Sequence, residues 1–254
     1  MTVIRLVTFD ALHTLITPRL PIYVQYSQTF APYLGVLEPR LLKQSFKVAL
    51  TQVQKENPAY QGASGAEGWW SEVIKRTAIG AGANPQAVDS SLPQIVPSLM
   101  ERFSSRQGYK LFHDSLPVLR RLHEMNIHTA LISNTDTRML SVLKDLEIAP
   151  YLDSIILSEA VGIEKPDAKI FRLALASSTQ SESIPMETQD GVHVGDELES
   201  DYHGARAAGM HALLLRRTGP EGDGERKEEG ENLQGVQVVN DLWGVVKWVE
   251  QQTT

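Results

Sequence analysis

Short apolar runs that each end on a polar residue place the strongest constraint on how this chain can fold. The first, residues 4–9, is rich in β-branched and aromatic residues and stops at Asp10. This pattern is typical of a buried strand that delivers a carboxylate at its end. Ligands of open α/β sheets bind outside the carboxyl ends of the strands, so Asp10 is a candidate nucleophile or metal ligand. Asp10 could equally cap the following turn, and this stretch alone leaves both interpretations open.

From Asp114 onward, apolar runs alternate with helical patterns. Further strands are predicted at residues 127–132, 154–157, 192–194, 212–215 and 236–239. This alternation predicts a doubly wound, Rossmann-like parallel sheet with helices on both faces. Residues 219–235 are rich in glycine and charge, which predicts a mobile segment. The last helix carries Trp243 and Trp248, and both are expected in the core.

Between the first strand and this alternating region, residues 22–103 have a helical pattern. Apolar residues such as Tyr23, Tyr26 and Phe30 recur at steps of three and four. The block is long enough to form a helical cap above the carboxyl edge of the sheet, where a lid would lie. We therefore predict a split α/β core domain at residues 1–16 and 105–254, and a helical cap domain at residues 17–104.

Composition excludes several classes of function. The 254 residues carry a net charge of -7 and no block of Lys or Arg, which disfavours a nucleic-acid or anionic-membrane partner. The absence of Cys excludes disulfides, thiolate metal sites and a Cys nucleophile. The apolar runs are too short to span a bilayer, and the first residues lack a signal-peptide pattern. We expect an intracellular protein, cytoplasmic, nuclear or both, whose oligomeric state the sequence leaves open.

Polar groups follow four of the predicted elements: Asp10, Ser133, Lys165, and Asp196 with Asp201. Phosphoryl transfer is a chemistry that these groups could share. A carboxylate can attack phosphorus, and a hydroxyl and a Lys can hold the non-bridging oxygens in the transition state. Clustered carboxylates suit a hard cation, above all Mg²⁺. Each motif alone is weak evidence, but four in order at strand ends are specific.

These motifs resemble those of the haloacid dehalogenase superfamily, most of whose members are phosphatases. They read Phe-Asp-Ala-Leu-His-Thr-Leu at residues 9–15, Leu-Ile-Ser-Asn at 131–134, Lys-Pro-Asp at 165–167 and Gly-Asp-Glu-Leu-Glu-Ser-Asp at 195–201. The helical insert resembles the cap of that superfamily. Within the superfamily, the chain resembles the group of the rhythmically expressed gene 2 protein and the dehalogenase-like hydrolase domain-containing protein 3. The resemblance lies in Trp69 and Trp70 and in residues 194–211.

The resemblance implies a role for each matched residue. Asp10, Ser133 and Lys165 would be catalytic, with Asp10 as the nucleophile. The substrate-binding residues would be Ser133, Asn134 and Lys165, which would hold the phosphate of a small phosphorylated substrate. The Mg²⁺ ligands would be Asp10, the backbone carbonyl of Leu12 and Asp196. Asp201 would support the metal site, through a contact to its other members or through a bound water.

One position departs from the phosphatase pattern. Phosphatases of the superfamily carry a second Asp two residues after the nucleophile, where it protonates the leaving group and activates water. Leu12 occupies that position here and can do neither. Losing a general acid/base typically costs about 10²–10⁴ in rate. His13 could replace it, but adjacent side chains of an extended segment point to opposite sides, so we expect His13 to face away from the substrate.

Three functions therefore remain open. The first is a Mg²⁺-dependent phosphomonoester phosphatase that works through an aspartyl-phosphate on Asp10 and is slow because Leu12 replaces the acid. The second is a weak or inactive pseudo-hydrolase that binds a phosphorylated ligand or a protein partner. The third is a metal-free 2-haloacid dehalogenase, since dehalogenases of the superfamily also lack the second Asp. The intact motif around Asp196 and Asp201 argues against the third.

The remaining histidines and the pair Trp69 and Trp70 are not assigned catalytic roles. His193, His203 and His211 are scattered along the chain, so we do not expect them to ligate a metal. Trp69 and Trp70 could line a substrate slot or simply pack against neighbouring helices.

Overall fold

The computed structural model describes residues 3–60, 65–179, 185–219, 227 and 230–252. The chain divides into two compact units. The α/β unit comprises Met1–Thr17, Leu111–Asn134 and Glu147–Thr254, and the helical unit comprises Pro18–Lys110 and Thr135–Leu146. Compared with the predicted boundaries, residue 17 groups with the α/β unit, and residues 105–110 and 135–146 group with the helices. The physical reason is visible in two hydrogen bonds to the helices: Gln25 Nε2 donates to the Gly108 carbonyl at 3.1 Å, and Trp70 Nε1 donates to Asp136 Oδ2 at 2.7 Å. That this unit acts as a cap stays a prediction.

The strands and helices follow the predicted order closely. The strands are β1 (Leu6–Phe9), β2 (Ile16–Pro18), β3 (Tyr109–Leu111), β4 (His128–Ser133), β5 (Ser154–Leu157), β6 (Gly191–Gly195), β7 (His211–Leu215) and β8 (Val238–Val239). The α-helices are α1 (Ile22–Leu34), α2 (Pro39–Glu56), α3 (Gly65–Gly80), α4 (Pro85–Arg102), α5 (Ser115–Glu124), α6 (Arg138–Asp145), α7 (Ser158–Val161), α8 (Ala168–Thr179), α9 (Gly204–Ala207) and α10 (Leu242–Gln252). The short strands β2 and β3 have no counterpart among the predicted strands.

The α/β unit contains the predicted parallel sheet. Its six strands lie in the order β5-β4-β1-β6-β7-β8, and every neighbouring pair is parallel. Strands β1 and β6 are buried along their whole length, as expected for a sheet covered on both faces. The chain leaves β1 toward β4 and leaves β6 toward β7, so the strand order reverses between β1 and β6. Such a reversal opens a crevice at the carboxyl ends of the strands.

The end of the chain differs from the predicted arrangement at the last helix. Trp243 is 41% exposed, so its predicted place in the core is wrong. The apolar face of α10 is made instead by Leu242, Val245 and Val249, which are all fully buried. The predicted mobile segment lies largely outside the described residues, since only 219, 227 and 230–235 of it are described.

The helical unit is built from α1–α4 and α6. Proline at the first helical position begins α2 and α4, and a preceding polar side chain caps each helix. In α4 the cap is Asn84, whose Oδ1 accepts the N–H of Ala87 at 3.1 Å. The core of this unit contains the buried residues Tyr26, Phe30, Leu42, Ile74 and Leu99. Within the described ranges, no helix is long and apolar enough to cross a membrane.

Candidate active site

Asp10 lies immediately after β1 at the carboxyl edge of the sheet and is 7% exposed. Its N–H donates to the carbonyl of Val194 at 2.9 Å, which extends the β1–β6 ladder by one residue. Phe9 is in register with Leu131 of β4 and with Val194 of β6. Because the strands are parallel, the residues that follow β4 and β6 reach the same edge. The sheet therefore brings the predicted motifs to Asp10.

Lys165 connects two of the carboxylates at this edge. Its Nζ donates to Asp10 Oδ1 at 2.7 Å and to Asp201 Oδ1 at 2.6 Å, and the side chain is 3% exposed. Burial opposes its charge, but the two carboxylates outweigh burial and hold the pKa of Lys165 above its ordinary value. The ammonium therefore stays charged and can face an anion.

Asn134 holds the backbone of Lys165 in place. Its Oδ1 accepts the Lys165 N–H at 2.8 Å, and its Nδ2 donates to the Lys165 carbonyl at 2.9 Å. Both ends of the amide are thus engaged by one residue 31 positions away. The predicted contact of Asn134 with phosphate stays a prediction, and it would have to use the second Nδ2 hydrogen or the backbone N–H.

Asp201 lies in a π-helical turn, Leu198–His203, a form often found at functional sites. The turn seats its carboxylate against Gly195, where an added Cβ would lie only 2.1 Å from Asp201 Cγ. The Glu197 N–H donates to Oδ2 at 2.8 Å. Burial disfavours the carboxylate, but Lys165 and His193 outweigh it, and they hold the pKa of Asp201 below its usual range. In the Gly-Asp pair of the motif, Gly195 is therefore required for packing against Asp201, and Asp196 supplies a carboxylate.

Asp196 is the least compensated carboxylate of the group. Burial raises its pKa to about 7; Lys227 opposes this shift, and the charges of Asp10 and Asp201 add to it. Lys227 Nζ donates to Asp196 Oδ2 at 2.6 Å. A carboxylate that is costly to ionise in this way favours the addition of a cation.

The three aspartates, Asp10, Asp196 and Asp201, form a cluster that could hold a metal. Each offers one oxygen, and these oxygens lie within 4.8 Å of one another. Three buried carboxylates face the two ammonium groups of Lys165 and Lys227, and an all-oxygen donor set suits Mg²⁺. The residues present therefore fit the predicted ion.

The other predicted site residues lie as follows. Ser133 ends β4 and is 1% exposed, and among the described residues none hydrogen-bonds to its hydroxyl. Leu12 is half-buried and bridges to Ile16 in a turn. His13 has a φ of 61°, so the segment after Asp10 is a turn and not extended. The predicted extended conformation after Asp10 is therefore wrong, and it was the basis for expecting His13 to face away from the substrate.

His193 also joins this group of residues, at a position that the sequence pattern does not predict. This residue lies within β6, is 1% exposed, and places Nε2 3.1 Å from Asp201 Oδ1. One available signal was that a polar side chain inside an otherwise apolar, buried strand must find hydrogen-bond partners. The partner itself could not be read from the sequence.

The tryptophan pair belongs to the core of the helical unit. Trp69 is 5% exposed, packs on Tyr60 with ring centroids 4.8 Å apart, and donates from Nε1 to the carbonyl of Asn57. Trp70 donates from Nε1 to Asp136 Oδ2 at 2.7 Å and lines a cavity of about 30 Å³ within that unit. A cavity of this size holds about one or two waters, so within this unit the pair serves packing.

A family model described as haloacid dehalogenase-like hydrolase matches residues 4–209. The chain belongs to this family. It is 32% identical to the haloacid dehalogenase-like hydrolase domain-containing protein 3 of Homo sapiens over 215 residues, which cover 84% of this chain and 82% of that protein. It is 26% identical to the rhythmically expressed gene 2 protein of Drosophila melanogaster over 219 residues, or 83% of this chain and 82% of the relative.

Solved structures of family members share the fold. A 2-haloacid dehalogenase from Pseudomonas syringae pv. Tomato DC3000 aligns with a TM-score of 0.64 at 22% identity, over 99% of this chain and 100% of its own. A phosphatase of the family from Thermococcus onnurineus aligns with a TM-score of 0.63 at 19% identity, over 97% and 98%. Because one fold serves both activities, the likeness does not choose between them.

Proposed function

We propose that this member of the family is a Mg²⁺-dependent phosphomonoester hydrolase that works through an aspartyl-phosphate on Asp10. The proposal rests on the position of Asp10. Lys165 Nζ donates to both Asp10 and Asp201, and one oxygen each of Asp10, Asp196 and Asp201 lies within 4.8 Å of the others. A nucleophile, a fixed cation and a set of metal ligands thus meet at one sheet edge, as phosphoryl transfer requires.

In the first step a carboxylate oxygen of Asp10 forms a bond to phosphorus, and the bond from phosphorus to the leaving oxygen breaks. Lys165 and the Ser133 hydroxyl hold the non-bridging oxygens as negative charge shifts onto them. In the second step water attacks the aspartyl-phosphate, the bond between Asp10 and phosphorus breaks, and inorganic phosphate leaves with Asp10 restored. Mg²⁺, when held by Asp10 and Asp196, would offset the repulsion between the carboxylate and the phosphate.

Asp201 contributes mainly by holding Lys165. Its Oδ1 already accepts hydrogen bonds from Lys165 and His193, and its Oδ2 accepts one from the Glu197 N–H. A carboxylate has about four lone-pair sites, so little capacity remains for direct coordination. Asp201 therefore supports the metal site without being a main ligand. The carbonyl of Leu12 stays a further predicted ligand.

Leu12 favours a second candidate, the pseudo-hydrolase. Without a carboxyl at this position, the leaving oxygen must take its proton from water or from another group such as His13, and hydrolysis of the aspartyl-phosphate loses its usual general base. The same pocket could then serve to bind a phosphorylated ligand. The dehalogenase has no comparable support, because its reaction needs no cation and the three-aspartate cluster would be unexplained.

Turnover by the wild type and by Asp10→Asn decides between these functions. With Mg²⁺ present, an aryl phosphate such as p-nitrophenyl phosphate should be hydrolysed by the wild type and not by Asp10→Asn. Asp89→Asn, an exposed aspartate of the helical unit, is the matched control and should behave as wild type. Equal rates for wild type and Asp10→Asn over aryl and alkyl phosphates would leave the pseudo-hydrolase. Metal-free release of halide from 2-haloacids would indicate the dehalogenase.

A further inference from the structure

A buried chain of hydrogen bonds runs beneath the proposed nucleophile. Thr8 Oγ1 lies 2.8 Å from His193 Nδ1, and His193 Nε2 lies 3.1 Å from Asp201 Oδ1. Thr8 is 0% exposed, and His193 and Asp201 are 1% exposed. The same Asp201 oxygen accepts from Lys165, whose Nζ also donates to Asp10. These hydrogen bonds therefore connect the interior of β1 and β6 to Asp10, the proposed nucleophile.

The hydrogen bonds define one tautomer of His193. An ionised carboxylate can only accept, so Nε2 must carry the hydrogen that it donates to Asp201. In a neutral ring that carries its hydrogen on Nε2, Nδ1 bears a lone pair. Nδ1 is then the acceptor, and the Thr8 hydroxyl donates to it. Thr8 thereby disfavours the other tautomer, which would turn the lone pair of Nε2 toward the carboxylate.

This arrangement leaves Asp201 with one orientation. Lys165 and His193 hold Oδ1, the Glu197 N–H holds Oδ2, and the backbone of Gly195 blocks movement toward the sheet. Without His193, one of the two donors to Oδ1 is lost. The carboxylate could then rotate, and the Lys165 ammonium would follow it away from Asp10.

We propose that His193 is a positioning residue that acts through Asp201 to hold the Lys165 ammonium against Asp10. The inference rests on the proposed function for its effect on turnover. Hydrogen-bond partners behind a metal site typically change metal affinity or activity by about 10- to 100-fold when they are removed.

Two substitutions separate this role from packing. Gln can place its amide nitrogen near the position of Nε2 and donate to Asp201, whereas the Asn amide reaches only the position of Nδ1. We expect His193→Asn to lower kcat by about 10- to 100-fold with a smaller change in KM, and to weaken Mg²⁺ binding in calorimetry. We expect His193→Gln to recover most of both. His211→Gln, on the neighbouring strand β7, is the matched control and should leave both unchanged.

Two further measurements test the series of hydrogen bonds from Thr8 to Asp201. In ¹⁵N spectra of the wild type at pH 7, His193 should show a protonated Nε2 and an unprotonated Nδ1. Thr8→Val removes the hydroxyl, and its effect on kcat should not add to that of His193→Asn, because both act through Asp201.

The results distinguish this inference from the proposed function. A wild type that binds and turns over with Mg²⁺, beside a folded His193→Asn variant with unchanged kcat and Mg²⁺ affinity, would overturn the inference alone. Protonation at Nδ1 with a bare Nε2 would overturn it as well. A wild type that binds Mg²⁺ without turnover would overturn the proposed function, and the inference would then be decided by Mg²⁺ affinity and by the ¹⁵N spectra. A wild type that binds neither Mg²⁺ nor phosphate would overturn both.

Discussion

Gly195→Ala tests whether the position of Asp201 limits the site. The added Cβ would lie 2.1 Å from Asp201 Cγ and 2.2 Å from Oδ2. Ordinary contact begins near 3.4 Å, so the two groups must separate by about 1.3 Å. Gly195 belongs to β6, which is hydrogen-bonded on both sides by β1 and β7, so the side chain of Asp201 must move.

The expected loss follows from that displacement. Lys165 Nζ lies 2.6 Å from Asp201 Oδ1, and a shift of about 1.3 Å breaks this hydrogen bond. A misplacement of about 1 Å at a catalytic group can cost on the order of 10²-fold in rate. We therefore expect Gly195→Ala to lower kcat by about 10²-fold. Overpacking should also lower the free energy of unfolding by about 1–3 kcal/mol.

The assay is steady-state hydrolysis of p-nitrophenyl phosphate with Mg²⁺, together with a thermal melt of each variant. The matched control is Gly191→Ala, at the start of the same strand. Its added Cβ would lie 2.8 Å from the terminal methyl of Met210, a flexible side chain that can move aside. If Gly195→Ala retains the kcat and the Mg²⁺ affinity of Gly191→Ala, the position of Asp201 is not what limits the reaction.

Two more predictions address the missing acid and the ionisation of the site. Leu12→Asp should raise turnover of alkyl phosphates by about 10- to 10³-fold and that of activated aryl phosphates less, with Leu12→Asn as its control. A folded, Mg²⁺-bound Leu12→Asp variant without any gain would show that the acid is not limiting. Folding lowers the pKa of Asp201, so ionised Asp201 stabilises the folded protein above about pH 4, the pKa of an Asp in the unfolded chain. This stabilisation is lost as the pH falls through the lower pKa that Asp201 has in the folded protein. The difference in free energy of unfolding between wild type and Asp201→Asn, measured with denaturant, should thus narrow on acidification, and a constant difference would contradict the assignment.

The sequence by itself determined the fold and the polar residues that the sheet brings to one edge. Apolar runs that alternate with helical patterns can bury their faces only in a parallel sheet covered by helices, and that sheet is present. Because parallel strands end at a common edge, the polar residues after β1, β4 and β6 had to converge there. Asp10, Ser133 and Asp196 could therefore be named from their positions at strand ends.

Only the tertiary structure decided how these residues are held. The amide of Asn134 clamps the backbone of Lys165, His193 contacts Asp201 from within β6, and Gly195 makes room for the same carboxylate. The sequence pattern records which residue types occur and which face of an element they share. It does not record side-chain orientation or contact between segments far apart in the chain. Those depend on how the whole sheet and its loops pack, and hydrogen bonds a few ångströms long are sensitive to that packing.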